Sequence, residues 1–535
     1  MDMDFATQIV KSTNELLWGM YCLIPLLVGT GIYMTIRLRC VQLRKFGAAL
    51  KQVFGGFSIF GKAADGTAGM TSFQSLATAI SAQVGTGNLA GVATAMVMGG
   101  PGAIFWMWLA AFFGMATIFS EAVLAQTYRL RDDHGHILGG PAIYISRGLG
   151  NKPLAAFFAV AIILALGFIG NMVQANSIAD AFRTAFAVPQ WLTGIVVFMG
   201  AGFIFIGGIR RIAAFAEKMV PIMALVYIIG SLTVIFGNAE MIWPAFKSIF
   251  VGAFDPSAAT GGIIGASLKE AIRYGVARGL FSNEAGMGST PHAHALARVQ
   301  HPVQQGLAAM VGLTIDTFIV LNMTAFVILC TGTLDGQTNG IALTQAAFTS
   351  GLGAIGPAFV AICLLFFAFT TIIGWFFFGE QNVKYLFGLR GVQPYRVLVL
   401  CFLMMGSFLH VNLVWELADF FNGIMVIPNV IALLCLSSLV AKVLKDYEGK
   451  FVCGETPEYG PMSPGYAIPA VSEHDAELLA EQKKGRRSLF RRRSKKDDVQ
   501  DEPLSAEEAT KQILNQKGDP FDPEVRLKED GLDRF

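Results

Sequence analysis

Charge is what this chain of 535 residues has least of: Asp, Glu, Lys and Arg make up 15% of it, while 54% is hydrophobic. An ordinary globular domain has about 25% charged residues, so the solvent for most of this chain is lipid. Cysteine is sparse as well. Cys22, Cys40, Cys330, Cys363, Cys401, Cys435 and Cys453 are scattered without CxxC or CxxH spacing, which excludes a disulfide framework or zinc site as the organising feature. The chain also lacks an HExxH pair, a GxSxG elbow and a P-loop, so the sequence implies no enzyme, and membrane transport would have to draw on an ion gradient rather than ATP. The net charge of +2 singles out no partner, and no nucleic-acid partner is called for. His292, His294 and His301 gather in one cytoplasmic loop after Pro291 but form no known catalytic pattern.

What the chain has in quantity is apolar runs near 20 residues, the length that crosses a bilayer as helix. They fall at about 16–36, 73–98, 102–127, 154–182, 190–209, 217–237, 260–287, 305–330, 355–387, 395–413 and 417–441. The first is too long for a signal-peptide core and reads as a retained membrane helix. Arg37, Arg39, Arg44, Lys45, Arg129, Arg131, Arg210, Arg211, Lys384 and Arg390 lie in alternate loops, which places those loops in the cytoplasm, the N-terminus outside and the C-terminus inside. Setting the first span aside leaves two groups of five, and an odd number makes the second group start in the opposite direction.

Residues 1–445 thus form a membrane domain, with repeats at about 70–240 and 255–441, and 446–535 a polar tail. The tail carries a basic run over 483–496 and is expected to be mostly disordered in the cytoplasm, because it cannot bury enough apolar area to offset ordering. Ser505 and Glu508 stand at capping-box spacing, which predicts a short helix over 505–516.

Two spans do not read as regular helix. Val84-Gly85-Thr86-Gly87-Asn88 sits in the middle of the second, and each glycine there weakens a helix by about 1 kcal/mol relative to alanine. Gly279 to Ser289, in the first helix of the second group, is equally small and polar. Interrupted helices at matching positions of two halves are the sequence pointer to an inverted-repeat transporter site. The alternative is that Gly85, Gly87 and Gly91 are small residues at a close helix contact.

A break near Gln83 would expose carbonyls, and a new half-helix at Gly87 and Asn88 would offer free N–H groups, with the Thr86 hydroxyl between them. Together they suit the ammonium and carboxylate of a small amino acid. Asn171, Gln174 and Ser177 share a helical face and contact either ligand or another helix. Thr370 and Thr371, with loosened carbonyls near Ser81 and Val84, would supply oxygens to a hard monovalent cation; a Thr pair otherwise back-bonds to its own helix. Trp375 could cap a pocket of methyl size. Among charges inside spans, Glu121, Asp180, Lys269, Glu270, Arg273, Arg278 and Glu284 are functional candidates. Glu270 and Arg273 read as a neutralising pair, and Glu284 as a support for the opened backbone or a proton acceptor.

Ser81-Ala82-Gln83-Val84-Gly85-Thr86-Gly87-Asn88-Leu89-Ala90-Gly91, Gly99-Gly100-Pro101-Gly102, Gly139-Gly140-Pro141, Gly170-Asn171-Met172-Val173-Gln174, Arg278-Gly279-Leu280-Phe281-Ser282-Asn283-Glu284-Ala285-Gly286 and Gly374-Trp375 resemble the alanine or glycine:cation symporters, the sodium:alanine symporter family. The resemblance covers about residues 10–445 in unbroken order. It implies an all-α membrane protein with a leucine-transporter-like core of two inverted five-helix repeats and one extra N-terminal helix. It further implies import of alanine or glycine with Na⁺ across the plasma membrane. The substrate pocket it implies uses Thr86, Gly87, Gln174, Phe281, Thr371 and Trp375. The sodium site it implies uses the carbonyls of Ser81, Val84 and Phe367 and the hydroxyls of Thr370 and Thr371. Rival readings are coupling to protons through Glu284, and a nutrient sensor signalling through the tail.

Overall fold

In hydrocarbon the backbone must satisfy its own hydrogen bonds, and each apolar run of the sequence accordingly becomes helix. The computed structural model describes residues 3–19, 22–55, 70–131, 136–255, 267–408, 411–461, 463 and 468. All of these belong to one unit, Met1–Ser472. The basic run over 483–496, the helix expected over 505–516 and the start of the seventh span at 260–266 lie outside the described residues.

The first span is shorter than its apolar run. Helix α1 (Met3–Leu17) precedes it, and α2 (Leu23–Arg37), an apolar helix of 15 residues, forms it. Asn14 Nδ2 donates to the Glu416 carboxylate at 2.7 Å and the Trp18 indole donates to the Asp419 carbonyl at 3.0 Å, which ties the N-terminal segment to the last helix. A surface helix, α3 (Phe46–Phe54), follows.

The first group of five then runs as α4 (Ser72–Gln83) with α5 (Val92–Gly99), α6 (Ala103–Tyr128), α8 (Lys152–Ile162) with α9 (Asn171–Phe186), α10 (Gln190–Ile206) and α11 (Gly208–Gly237). Between α6 and α8 lie a hairpin of β1 (Leu130–Arg131) and β2 (Ile137–Leu138) and the short α7 (Pro141–Gly148). After α12 (Ile242–Phe254), too short to cross, the second group runs as α13 (Leu268–Asn283) with α14 (Pro291–Ala295), α15 (Pro302–Leu313) with α16 (Asn322–Thr331), α18 (Gly356–Phe387), α19 (Val392–Gly406) and α20 (Val411–Asp446). Helix α17 (Gly340–Leu352) lies before α18.

Among the described residues, six helical stretches are long and apolar enough to cross a bilayer unaided. Neither interrupted span is among them, since α4 has 12 residues and α13 has 16. The seventh span, placed at 260–287 with an interruption expected over 279–289, is helical to Asn283 and resumes at Pro291. Capping boxes start both interrupted spans: Thr71 with Gln74, and Ser267 with Glu270.

Burial separates two kinds of helix. Residues 75–93 and 278–297 are buried without exception, so the interrupted spans form the centre of the bundle. Helices α10 and α11 sit outside, exposing Met199, Phe203, Ile206, Ile222, Leu225 and Ile229. Such a wall of large apolar side chains suits lipid tails and would be a liability in water. Within the spans, π-helical turns occupy Gly87–Gly91, Ile163–Gly170 and Thr314–Leu321. Turns of this kind are costly in regular helix and gather where backbone is put to other uses.

Candidate functional site

The first interruption begins where two N–H groups leave the helical ladder. In unbroken helix those of Gly85 and Thr86 would go to the carbonyls of Ser81 and Ala82, four residues back. Instead Gly85 N–H donates to Asn88 Oδ1 at 3.0 Å and Thr86 N–H donates to Gln174 Oε1 at 3.2 Å. Val84 takes up extended backbone, and the Ser81 and Val84 carbonyls turn toward α18.

There they meet a concentration of oxygen. Thr371 Oγ1 lies 3.1 Å from the Ser81 carbonyl, 3.2 Å from that of Val84 and 3.0 Å from that of Phe367, and Thr370 Oγ1 donates to Phe367 at 2.8 Å. One hydroxyl carries one proton, so it cannot satisfy three carbonyls at once. The surplus of buried acceptors fits a small hard cation, and all five residues expected around one are brought together. Gly374 permits the approach, since a Cβ there would stand 2.9 Å from Ala82 Cβ.

The second interruption is held open from several helices. Glu284 closes α13 with φ of 59°, and Gly286 and Gly288 follow with φ of 91° and 79°. Glu121, on α6, accepts the N–H groups of Gly286 and Gly288 at 3.3 and 2.9 Å and the Asn429 amide at 2.6 Å. Asp316 joins the two interruptions: it accepts from Asn88 Nδ2 at 2.7 Å, from Thr317 Oγ1 at 2.9 Å and from Ser282 Oγ at 3.0 Å.

Between the interruptions the backbone at Gly85 and Gly87 is closely approached: an added Cβ at Gly85 would come 2.5 Å from Thr371 Oγ1 and one at Gly87 would come 3.3 Å from Phe281 Cδ1. Phe281 meets Trp375 edge-on at 5.8 Å between ring centroids, and Trp375 packs on Gly170, where a Cβ would lie 2.6 Å from the indole. Thr86 Oγ1 is buried without a hydrogen-bond partner. Thr86, Gly87, Gln174, Phe281, Thr371 and Trp375 therefore converge. Of the polar face on α9, only Gln174 reaches the break: Asn171 Nδ2 returns to the Gly167 carbonyl at 3.0 Å, and Ser177 lines a separate cavity.

Residues 3–460 match the sodium:alanine symporter family. The chain belongs to that family. It is 43% identical over 453 residues to the sodium/alanine symporter AgcS of Methanococcus maripaludis, covering 83% of this chain and 98% of the relative. A protein of Bacillus subtilis named as a probable sodium/glutamine symporter, GlnT, is 40% identical over 453 residues, covering 84% and 92%. Among solved structures, MhsT in complex with L-phenylalanine aligns with a TM-score of 0.51 at 12% identity, covering 71% of this chain and 99% of that one. That likeness bears on fold alone, and it agrees with the leucine-transporter-like architecture expected from the sequence. The protein is a multi-pass membrane transporter, not an enzyme.

Of the other charged candidates of this symporter, Glu270, Arg273, Asp180 and Arg278 have structural partners. Glu270 does not pair with Arg273: its carboxylate caps α13 through the Ser267 N–H at 2.8 Å, and the Arg273 guanidinium lies over the Tyr274 ring. Asp180 pairs with Arg183 at 2.8 Å. Arg278 makes a two-pronged pair with Asp419, both contacts 2.7 Å, and lies 5.0 Å above the Trp415 ring, which in turn packs on Phe281. Beyond this cover opens a cavity of about 530 Å³ reached by Lys11, Asp180, Arg278, Trp415 and Glu416. The histidines expected in a loop are buried instead: His292 Nδ1 donates to the Ser289 carbonyl at 2.7 Å, and His294 Nδ1 pairs with Gln305 Oε1 at 2.9 Å. Sequence reasoning passed over Asp316, Ser282 and the Asn88 side chain. Asp316 carried a usable signal, being a carboxylate inside an apolar span.

Proposed function

We propose that this symporter imports alanine or glycine together with Na⁺ by alternating access, with its N-terminus outside and its C-terminus in the cytoplasm. The observation that carries the reading is the crowding of the Ser81, Val84 and Phe367 carbonyls on the single hydroxyl of Thr371. Sodium as cargo relieves that crowding, with Thr370 supplying a further oxygen. Bound there, it holds the first break in the shape that presents Thr86 and Gly87 to substrate, which makes substrate affinity depend on sodium.

The zwitterion sits beside it, where Thr86, Gly87, Gln174, Phe281 and Trp375 converge. Its carboxylate takes the free N–H groups that begin the half-helix at Gly87 and Asn88. Its ammonium takes released carbonyls, the unpartnered Thr86 hydroxyl and Gln174 Oε1. Packing of Trp375 against Gly170 and Phe281 supports a side chain of hydrogen or methyl over one as long as glutamine.

On the side assigned to the cytoplasm, the strands leading into and out of the interrupted spans are joined, Met70 N–H to the Leu296 carbonyl at 2.9 Å and Arg298 N–H to the Met70 carbonyl at 3.0 Å. This contact closes the inner path, and the Arg278–Asp419 pair with Trp415 covers the outer one below the 530 Å³ vestibule. Transport opens these two closures in turn. The test is uptake of small neutral amino acids by proteoliposomes under an imposed Na⁺ gradient. Concentrative alanine or glycine uptake that stops when Na⁺ is replaced by K⁺ supports the reading. Uptake driven by a pH gradient alone, without Na⁺, contradicts it.

A further inference from the structure

Glu284 occupies a backbone conformation that disfavours it. Its φ of 59° is left-handed, a region costly to residues other than glycine, and glycine takes up such angles two and four residues later at Gly286 and Gly288. A glycine at 284 would remove the strain, so the side chain must offset it. The carboxylate is fully buried and fixed at both oxygens: Oε2 accepts from Ser289 Oγ at 2.5 Å and Oε1 accepts from Trp375 Nε1 at 2.5 Å. The indole it holds lies edge-on to Phe281 and is seated on Gly170, beside the proposed substrate position.

We propose that Glu284 is a positioning residue that sets the size of the accepted side chain by anchoring the Trp375 indole against Gly170. The proposal rests on the symport reading above and deepens it. Without an acceptor at Oε1, the buried indole N–H has to seek another partner, which swings the ring off Gly170 and enlarges the space beside Gly87. Trp375 stands one helical turn beyond Thr371 on α18, so the same link couples the size filter to the helix bearing the cation oxygens.

What matters under this proposal is the acceptor's reach and not its charge, and two substitutions separate these. Glu284→Gln removes charge but keeps an oxygen at the same distance, and Ser289 can turn from donor to acceptor to meet the new amide. Glu284→Asp keeps charge and tolerates the left-handed backbone but withdraws the oxygen by one methylene. The experiment measures Na⁺-driven uptake of alanine, 2-aminobutyrate and valine in proteoliposomes and takes the ratio of kcat/KM for alanine over each larger substrate. Glu284→Gln is expected to keep the ratio, and Glu284→Asp to lower it about tenfold, the scale on which one methylene is discriminated in an apolar pocket. A merely structural or charge-bearing Glu284 gives the reverse pattern, or slows all substrates alike with the ratio unchanged, and either result overturns the proposal. Failure of the unmodified chain to take up alanine would count against the symport reading and remove the basis of this one.

Discussion

Asn88 Nδ2 lies 2.7 Å from Asp316 Oδ1 while the same side chain's oxygen holds the N–H of Gly85 at 3.0 Å. One amide therefore both opens the first interrupted helix and fastens it to the π turn of a neighbouring span, which Ser282 ties to the second interruption. Asn88→Ala leaves the buried Gly85 N–H without its partner, at about 1–3 kcal/mol, and takes one of two donors from Asp316 Oδ1, which Ser282 still holds. The expected outcome is an apparent Na⁺ affinity at least about tenfold weaker, read from the Na⁺ dependence of alanine uptake. Unchanged Na⁺ dependence would remove Asn88 from the machinery.

Thr371 is the oxygen on which three carbonyls converge. Thr371→Val preserves shape and deletes that oxygen, so Na⁺ dependence is expected to weaken by about tenfold or more, while Thr371→Ser retains most of it. Equal behaviour of the two variants in Na⁺ titrations of alanine binding would show that the hydroxyl is not a ligand.

Gly85 is required by space rather than by a left-handed angle. In Gly85→Ala the new methyl would stand 2.5 Å from Thr371 Oγ1 and 3.2 Å from Gln174 Oε1, on the two sides of the break at once. Alanine binding and Na⁺ dependence are expected to fail together in this variant while it remains folded in detergent. Retention of either one alone would separate the sites that Gly85 is held to join.

The fold was largely legible from the chain because its main signal, apolar length, is local. Both interruptions were legible for the same reason, since glycine and small polar residues at mid-span conflict with regular helix. Asp316 was not, although its charge inside an apolar span is a local feature; its partners Asn88 and Ser282 come from other helices, and only packing shows what it joins. The Asn14 and Trp18 contacts that precede the late start of the first span at Leu23 are long-range too. Helices α3, α12 and α17 were missed because segments shorter than a bilayer carry no hydropathy signal distinct from loop. Glu270 was read as a partner of Arg273 from spacing alone, whereas the cap at Ser267 offered its carboxylate a backbone N–H.

The outer cover depends on geometry as well as charge. Arg278 grips both oxygens of Asp419 while lying over Trp415, so Arg278→Lys keeps the charge but loses the fork and the stacking. Alanine exchange is expected to slow severalfold in Arg278→Lys, with Na⁺ affinity at equilibrium little changed, as measured by counterflow and by binding in parallel. A selective loss of Na⁺ affinity would place Arg278 in the cation site instead of the cover.

In the proposed symport one break, over Val84 to Asn88, serves cation and amino acid together, and linkage makes that coupling quantitative. Titration of purified protein with alanine at several Na⁺ concentrations, and with Na⁺ at several alanine concentrations, should give the same coupling factor in both directions. Alanine affinity that rises with Na⁺ and is lost in K⁺, matched by an equal effect of alanine on Na⁺ affinity, is the expected result. Alanine affinity indifferent to the exchange of Na⁺ for K⁺ would contradict it.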